Sequence, residues 1–181
     1  MMTILSERLL VRSYTEADAD DLAAILGDPI TMQFWPQPLS RAASDAWLER
    51  AIRMREDSCY GRRTVILRAT GALIGDVGVV RAQIDGVERD DLGYIIHHPY
   101  QRRGYALEAA RALQTCLFAA RRVPALFANM AHDHSGSQRV AEKLGMRRIG
   151  SFNNPRNRDL LTYLYRIEAA MPMDGAKSLN P

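Results

Sequence analysis

One segment of the chain joins a strand directly to a helix through a short turn, and this limits the folds that the sequence can adopt. Residues 92–97 are mostly apolar and typical of a β-strand, and Pro99 follows them. The turn after Pro99 contains Gly104, and residues 105–121 then repeat apolar and small side chains at helical spacing. A strand that passes at once into a long helix predicts a fold in which helices cover a sheet.

The same turn predicts an anion site. The first N–H groups of a helix have no partner inside the helix, and they lie at the positive end of its dipole. Gly104 leaves room for a phosphate to approach the backbone, and Ala106 is small for the same reason, while Arg102 and Arg103 add positive charge. Glu108 follows in the first turn of the helix, where compensation of the dipole explains an acidic residue. The turn lacks the glycine spacing of P-loop ATPases and of Rossmann dehydrogenases, so the sequence disfavours both.

The rest of the chain alternates helical and strand patterns and predicts the α+β class. A short strand at residues 9–11 precedes two helices, the second of them capped by Ser40. Strand patterns at 64–67, 73–81 and 92–97, with a turn at Asp85-Gly86, predict an antiparallel meander. Gly75 and Gly78 within it predict a bulge or a close approach of backbones. Beyond the long helix we predict a strand, a short helix and two closing strands, with their bounds at 124–130, 135–144, 146–152 and 160–167.

Composition excludes several classes of protein. The chain has 181 residues, 47% of them hydrophobic and 25% charged, with a formal net charge of +3, which is typical of a globular domain and not of a disordered chain. Its two cysteines, Cys59 and Cys116, form neither a disulfide framework nor a zinc-ribbon spacing. No apolar run is long enough to span a bilayer, so we expect a cytoplasmic protein without a membrane partner.

Three separated motifs carry a resemblance to a known family. Gln101, Gly104 and Ala106 match the pattern Q/R-x-x-G-x-G/A, which resembles the signature of the GNAT superfamily of acyl-CoA-dependent N-acetyltransferases. The opening stretch Ser-Glu-Arg-Leu-Leu-Val-Arg at 6–12 and the stretch Ser-Gln-Arg-Val-Ala-Glu-Lys-Leu-Gly-Met at 137–146 resemble the RimJ/RimL-like branch of that superfamily. The resemblance covers residues 5–168 and implies a mixed, mostly antiparallel twisted sheet flanked by helices on both faces. It implies one such domain at 1–170. The segment 171–181 is polar with Gly and Pro and predicts a loose tail.

The resemblance also implies the ligand, which is acetyl-CoA, and the residues that hold it. In this family the backbone amides of the turn bind the pyrophosphate. The preceding strand splays from its neighbour, so that its free backbone groups pair with the pantetheine arm like an added strand. The implied CoA-binding residues are Tyr94, Ile95, Ile96, Gln101, Arg102, Arg103, Gly104, Tyr105, Ala106, His134 and Ser137.

The sequence departs from the family at two positions that bear on catalysis. His134 stands where the family usually has an asparagine that contacts pantetheine, and Ala141 stands where many members have a tyrosine that protonates the leaving thiolate. Ser137 is the substitute that we predict for the thiolate acid. Asp91 is our first choice for the general base, because it shares a strand face with Gly93; His97 and His98 are the alternatives.

The acceptor side and the wider role stay open at this point. Phe34 and Trp35 lie between the first two helices, where the family's acceptor groove opens. Four arginines around the second helix could attract an acidic acceptor, namely Arg41, Arg50, Arg53 and Arg55. The acceptor can be a protein N-terminal amine, an amino acid, a polyamine or an antibiotic, and the chain a monomer or a homodimer.

Two other functions compete with an acetyltransferase. The departures at 134 and 141 also fit a non-catalytic module that binds acyl-CoA and reports it to a partner. A nucleic-acid partner has only the basic isoelectric point, near 9.1, in its favour. We expect no metal, because the imidazoles of His132 and His134 with Asp133 are too sparse a ligand set.

Overall fold

The computed structural model describes residues 3–54, 60–120 and 122–169, which form one eight-stranded sheet and four α-helices. The strands are β1 Thr3–Leu5, β2 Leu9–Ser13, β3 Gly61–Leu67, β4 Leu73–Ile84, β5 Val87–Ile96, β6 Ala125–Ala131, β7 Arg147–Asn154 and β8 Leu160–Glu168. The helices are α1 Ala19–Gly27, α2 Arg41–Arg53, α3 Tyr105–Ala119 and α4 Ser135–Lys143. This confirms the predicted α+β class, while the tail at 171–181 lies outside the described residues.

Local signals begin and end most of these elements where the sequence predicts. The Ser40 hydroxyl accepts a hydrogen bond from the Ala43 amide at 3.2 Å and so caps α2. A capping box between Thr15 and Asp18 opens a 3-10 turn at Glu16–Asp18, and the α-helical conformation of the first helix begins at Ala19. The hairpin between β4 and β5 turns at Asp85 and Gly86, whose φ angles of 50° and 71° are those of a tight hairpin turn.

The sheet runs in the order β1-β2-β3-β4-β5-β6-β8-β7, and every neighbouring pair is antiparallel except β5 and β6. Gly75 and Gly78 lie on β4 where neighbouring strands come very close. A side chain at Gly75 would collide with the Ile95 carbonyl, and one at Gly78 with the Gly61 carbonyl. This confirms the close backbone approach that the glycines predict.

Each face of the sheet carries its own core. One face packs against α3 and α4 through fully buried side chains such as Leu113, Leu117 and Leu126. The other face packs against α1 and α2, with Tyr14, Leu22 and Leu48 buried there. Helices therefore flank both faces, as the resemblance implies. No helix in the described ranges combines the length and the apolar character needed to cross a membrane.

The parallel contact between β5 and β6 is very short. The two strands pair at one position only, where Asp91 lies beside Phe127. Beyond Asp91, β5 continues to Ile96 while paired with β4 alone. The predicted splay is thus present, and it begins at the residue that we predict as the general base.

Candidate active site

The turn before α3 has a backbone shaped for an anion. Gly104 is the N-cap of α3 with a φ of 84°, and Arg102 two residues earlier has a φ of 62°. The first hydrogen bond of the helix runs from the Glu108 amide to the Gly104 carbonyl, so the amides of residues 105–107 have no partner inside the helix. A turn with left-handed residues and several converging N–H groups is a binding concavity for phosphate-like groups.

Glu108 anchors this turn to the connection between β1 and β2. Its carboxylate accepts hydrogen bonds from the Ser6 hydroxyl at 2.7 Å, from the Arg8 amide at 2.8 Å and from Arg8 Nε at 2.7 Å. Although burial alone would raise the pKa of Glu108, the bonds from Arg8 and Ser6 lower it below its usual range. Arg8 also donates from Nη1 to the Arg103 carbonyl at 3.0 Å. The dipole interpretation of Glu108 is therefore incomplete, because this residue holds the turn in place.

We expect Glu108→Gln to destabilise the protein by about 2 kcal/mol, since a charged acceptor of several hydrogen bonds is replaced by a neutral one. The wild-type advantage should be present at pH 7 and disappear as the pH falls below the ordinary carboxyl pKa, because the pKa of Glu108 is lower in the folded than in the unfolded state. Chemical denaturation of both proteins at pH 7 and pH 3.5 measures this. Equal stability at pH 7 would contradict the anchoring role.

A second anchor lies on the other side of the turn. Gln101 donates from Nε2 to the Ile96 carbonyl at 2.8 Å, which ties the turn to the end of β5.

Asp28, His97 and His98 form a cluster in which three potential metal-ligand atoms lie within 4.8 Å of one another. The Asp28 carboxylate already accepts bonds from the Thr31 hydroxyl and amide and contacts His98 Nδ1 at 2.9 Å. These bonds explain the cluster as a clamp between two loops, a pairing that the sequence did not reveal.

The turn, the free end of β5 and α4 enclose a cleft of about 610 Å³, which we call the turn cavity. Its lining includes residues predicted to bind CoA, namely Tyr94, Ile95, Ile96, Gln101, Arg102, Gly104, Tyr105, Ala106, His134 and Ser137. Arg103, also predicted, is exposed beside the cavity and is held through its carbonyl by Arg8. The fold therefore brings the predicted set together around one cleft.

Tyr94 and Ser137 meet inside this cleft. The Tyr94 hydroxyl lies 3.0 Å from Ser137 Oγ and donates to the Ser137 carbonyl at 2.9 Å. Burial raises the pKa of Tyr94 to about 12, so the phenol keeps its proton at neutral pH. With the phenolic proton directed at the carbonyl, the Ser137 hydroxyl donates to the phenol oxygen, and this bond fixes Ser137 Oγ at the cavity wall. The resemblance implies that the backbone of Tyr94 pairs with pantetheine, and the sequence does not reveal this role of its side chain.

His134 takes a defined form at the start of α4. Its Nδ1 accepts a hydrogen bond from the Ser137 amide at 3.4 Å, and its ring stacks on Phe34 with centroids 3.7 Å apart. Burial lowers the pKa of His134 to about 4, so the ring is neutral near pH 7 and carries its proton on Nε2. One N–H donor is thus presented where the family usually has an asparagine amide. Ala141, by contrast, is fully buried in the core, so this chain has no room for the family's tyrosine there.

Asp91 lies at the start of the splay and is partly buried. Burial raises the pKa of Asp91 to about 6, against the opposing effects of a hydrogen bond from Asn129 at 3.1 Å and of the nearby Arg62 charge. A carboxylate with a pKa near the working pH can accept a proton and release it again. Asn129 stands on β6, so its bond to Asp91 crosses the gap between the two parallel strands.

Arg62 lies across the sheet beside Asp91. Arg62, Gly78 and Gly93 stand side by side on β3, β4 and β5, and the guanidinium occupies the space that a side chain at Gly93 would take. Its Nη2 forms an ion pair with the buried Asp76, which also accepts a hydrogen bond from the Tyr14 hydroxyl at 2.7 Å. Two glycines in cross-strand register therefore make the groove that places a buried cation next to the predicted base.

A second cavity of about 450 Å³ opens on the α2 side of the splay, and we call it the tryptophan cavity. Trp35 and Trp47 form its aromatic wall, with their rings 5.8 Å apart, and Arg62 and Asp91 line its floor. The two cavities share five lining residues, which are Phe34, Trp35, Tyr94, His134 and Ser137. Asp91 lines the tryptophan cavity only and Ser137 lines both, so the predicted base and the predicted acid face one shared cavity.

Comparison with known proteins decides the family. The acetyltransferase (GNAT) domain family matches residues 8–147, which is most of the chain. The chain belongs to the GNAT family of acetyltransferases. The enzyme is therefore an N-acetyltransferase that uses acetyl-CoA. Among curated relatives, the uncharacterized N-acetyltransferase YnaD of Bacillus subtilis is 28% identical over 151 residues, covering 83% of this chain and 86% of YnaD.

Solved GNAT structures share the whole fold. A GNAT-family acetyltransferase from Bacillus anthracis superimposes with a TM-score of 0.78 at 24% identity, covering 93% of this chain and 99% of that one. RimL, the ribosomal L7/L12 α-N-protein acetyltransferase solved in complex with coenzyme A, has a TM-score of 0.77 at 16% identity, covering 92% and 98%. This likeness of fold is consistent with the predicted RimJ/RimL-like branch.

Proposed function

We propose that this acetyltransferase transfers acetyl to a primary amine by direct attack in a ternary complex. One observation carries the proposal: the tryptophan cavity, with Asp91 on its floor, and the turn cavity meet at a wall formed in part by Ser137. When bound, acetyl-CoA supplies an activated acetyl thioester. The turn fits this molecule, because the left-handed Gly104 presents no side chain and the amides of the first helical turn lack intrahelical partners.

Each role follows from the position of a side chain. The amides of residues 102–106 hold the pyrophosphate, and the free edge of β5 at Tyr94, Ile95 and Ile96 pairs with the pantetheine arm. His134 donates from Nε2 to the same arm. Asp91 removes a proton from the acceptor ammonium, and the resulting amine attacks the acetyl carbon. The Ser137 hydroxyl, held by Tyr94, gives a proton to the departing sulfur and takes one back from the attacking nitrogen, which loses it as the amide forms.

A direct attack is favoured over a covalent acetyl-enzyme. No cysteine is among the described residues that line either cavity. Cys116 lies on α3 away from both cavities, and Cys59 lies outside the described residues. The test is an acetyl-CoA turnover screen against amino acids, polyamines, aminoglycosides and peptides with free N-termini. When both substrate concentrations are varied, double-reciprocal plots of the initial rates should give intersecting lines, as expected for a ternary complex; a covalent acetyl-enzyme would give parallel lines. Tight CoA binding without transfer to any amine would favour the sensor module instead.

We expect Ser137→Ala to lower kcat by about a hundredfold, because proton donation to the thiolate is lost. The KM for acetyl-CoA should change little, and Tyr94→Phe should lower kcat by a smaller factor because it frees the serine hydroxyl from its position. Ser135→Ala, an exposed serine on the same helix, is the matched control. An unchanged kcat in Ser137→Ala would remove this residue from the mechanism.

A further inference from the structure

The charges of the tryptophan cavity carry an inference about the acceptor, and it rests on the proposed function. Among the described residues that line this cavity, three are arginines, Arg50, Arg62 and Arg156, and one is a carboxylate, Asp91. The charge of Arg62 is compensated by Asp76. We propose that the acceptor amine also carries an anionic group, a carboxylate or a phosphate, which Arg50 and Arg156 bind.

Arg50 differs from the other arginines of its helix. Arg41 forms ion pairs with Asp20 and Asp45, and Arg53 forms one with Glu49. Within the described part of the chain, the Arg50 guanidinium has neither an ion pair nor a hydrogen bond, although it lines the cavity next to Trp47. Of the four arginines predicted to attract an acidic acceptor, Arg50 therefore fits, Arg41 and Arg53 are already paired, and Arg55 lies outside the described residues.

Arg156 reaches the same cavity from the turn between β7 and β8. This turn is fixed to the aromatic segment, because Asn157 donates from Nδ2 to the Phe34 carbonyl at 2.8 Å. Neither an ion pair nor a hydrogen bond occupies the Arg156 guanidinium within the described ranges. Two distant parts of the sequence thus each bring an unpaired guanidinium to one cavity.

The layout separates two kinds of acceptor. An amine that approaches Asp91 passes the aromatic wall of the cavity and leaves its remaining polar group near the arginines. A carboxylate or phosphate there gains charge-assisted hydrogen bonds from the guanidinium forks. A polyamine or an aminoglycoside places extra positive charge beside them and is repelled. A cavity of about 450 Å³ suits a small metabolite or the first residues of a peptide.

The test compares acceptors in matched pairs that differ in the anionic group. The pairs are phenylalanine and its carboxamide, a dipeptide and its C-terminal amide, and phosphoethanolamine and ethanolamine; spermidine and an aminoglycoside represent polycations. We expect kcat/KM to be about tenfold higher for the anionic member of at least one pair, and transfer to polycations to be slower still. The pair that responds distinguishes a carboxylate from a phosphate.

Two variants assign the preference to the arginines. Arg50→Gln and Arg156→Gln should each lower kcat/KM for the preferred anionic acceptor by several-fold and leave its neutral partner unchanged. Arg53→Gln, one turn further along α2 and outside the cavity, should change neither. Equal or faster transfer to neutral or cationic acceptors would overturn this inference alone. Failure to transfer to any amine would overturn the proposed function and this inference with it.

Discussion

Gly104→Val should lower the affinity for CoA by more than about a hundredfold, because several charge-assisted hydrogen bonds to phosphate depend on this position. The added side chain would stand where the turn must approach the ligand. Among the described residues, a Cβ at this position would meet Arg8 Nη2 at 3.4 Å, the end of a flexible side chain, so the Cβ itself does not collide with the backbone of the fold. Titration calorimetry with CoA and with pantetheine measures the effect, and CoA should lose far more affinity than pantetheine.

The backbone strain of this variant needs its own control. Gly104 has a φ of 84°, a conformation that costs other residues about 1–2 kcal/mol. Gly86 has a φ of 71° with no neighbour near its Cβ position, and it lies in the hairpin turn between β4 and β5. Gly86→Val should therefore lose similar stability and keep its CoA affinity. Equal losses for CoA and pantetheine, or none for CoA, would show that the turn is not the pyrophosphate site.

Asp91→Asn should lower kcat by about 10²–10⁴-fold, the usual contribution of a general base. The rate of the wild-type enzyme should fall as the pH drops through about 6, because burial raises the pKa of Asp91 to about 6 and only the ionised form accepts a proton. The variant should lack this acidic limb. Glu88→Gln, an exposed carboxylate on the same strand, should retain both the rate and the pH profile.

The same substitution should not destabilise the protein at neutral pH. A raised pKa in the folded state favours the protonated form, and the stability that this form contributes is lost as the pH rises from about 4 through 6. Asparagine resembles the protonated form and keeps an oxygen for the Asn129 amide. The unfolding midpoint of Asp91→Asn should thus equal or exceed that of the wild type at pH 7.5.

An Asp91→Asn variant that keeps full activity and the acidic limb of the pH profile would assign the general base to another residue.

The elements with strong local signals were predictable from sequence. The Ser40 cap, the Asp85-Gly86 turn and the strand, turn and helix around Gly104 each depend on residues within a few positions of one another. The anion site of this turn was also predictable, since glycine and arginine stand next to a helix start in the sequence. β1 at Thr3–Leu5 was missed because a three-residue strand is defined by its pairing with β2 and hardly by its own sequence.

The side-chain contacts that give the site its chemistry could not be predicted from local sequence signals. Tyr94 and Ser137 are 43 positions apart, and Asp91 and Asn129 are 38 apart. The raised pKa of Asp91 depends on burial by elements from several parts of the chain, and no sequence pattern reports it. The groove for Arg62 could not be predicted either. Gly78 and Gly93 form it because the register of β3, β4 and β5 places them side by side, and the sequence does not specify that register.

The single pair that joins β5 to β6 has a consequence for how the molecule holds together. Five strands lie on one side of this seam and three on the other. Among the described residues, the two sides share one paired backbone position, Asp91 with Phe127, and the side-chain bond from Asn129 to Asp91. A ligand arm paired with the free edge of β5 would act as a tie between the two halves. A ligand that binds only the folded state stabilises it in proportion to the logarithm of its concentration, so this tie would add to the stability that the shared core already provides.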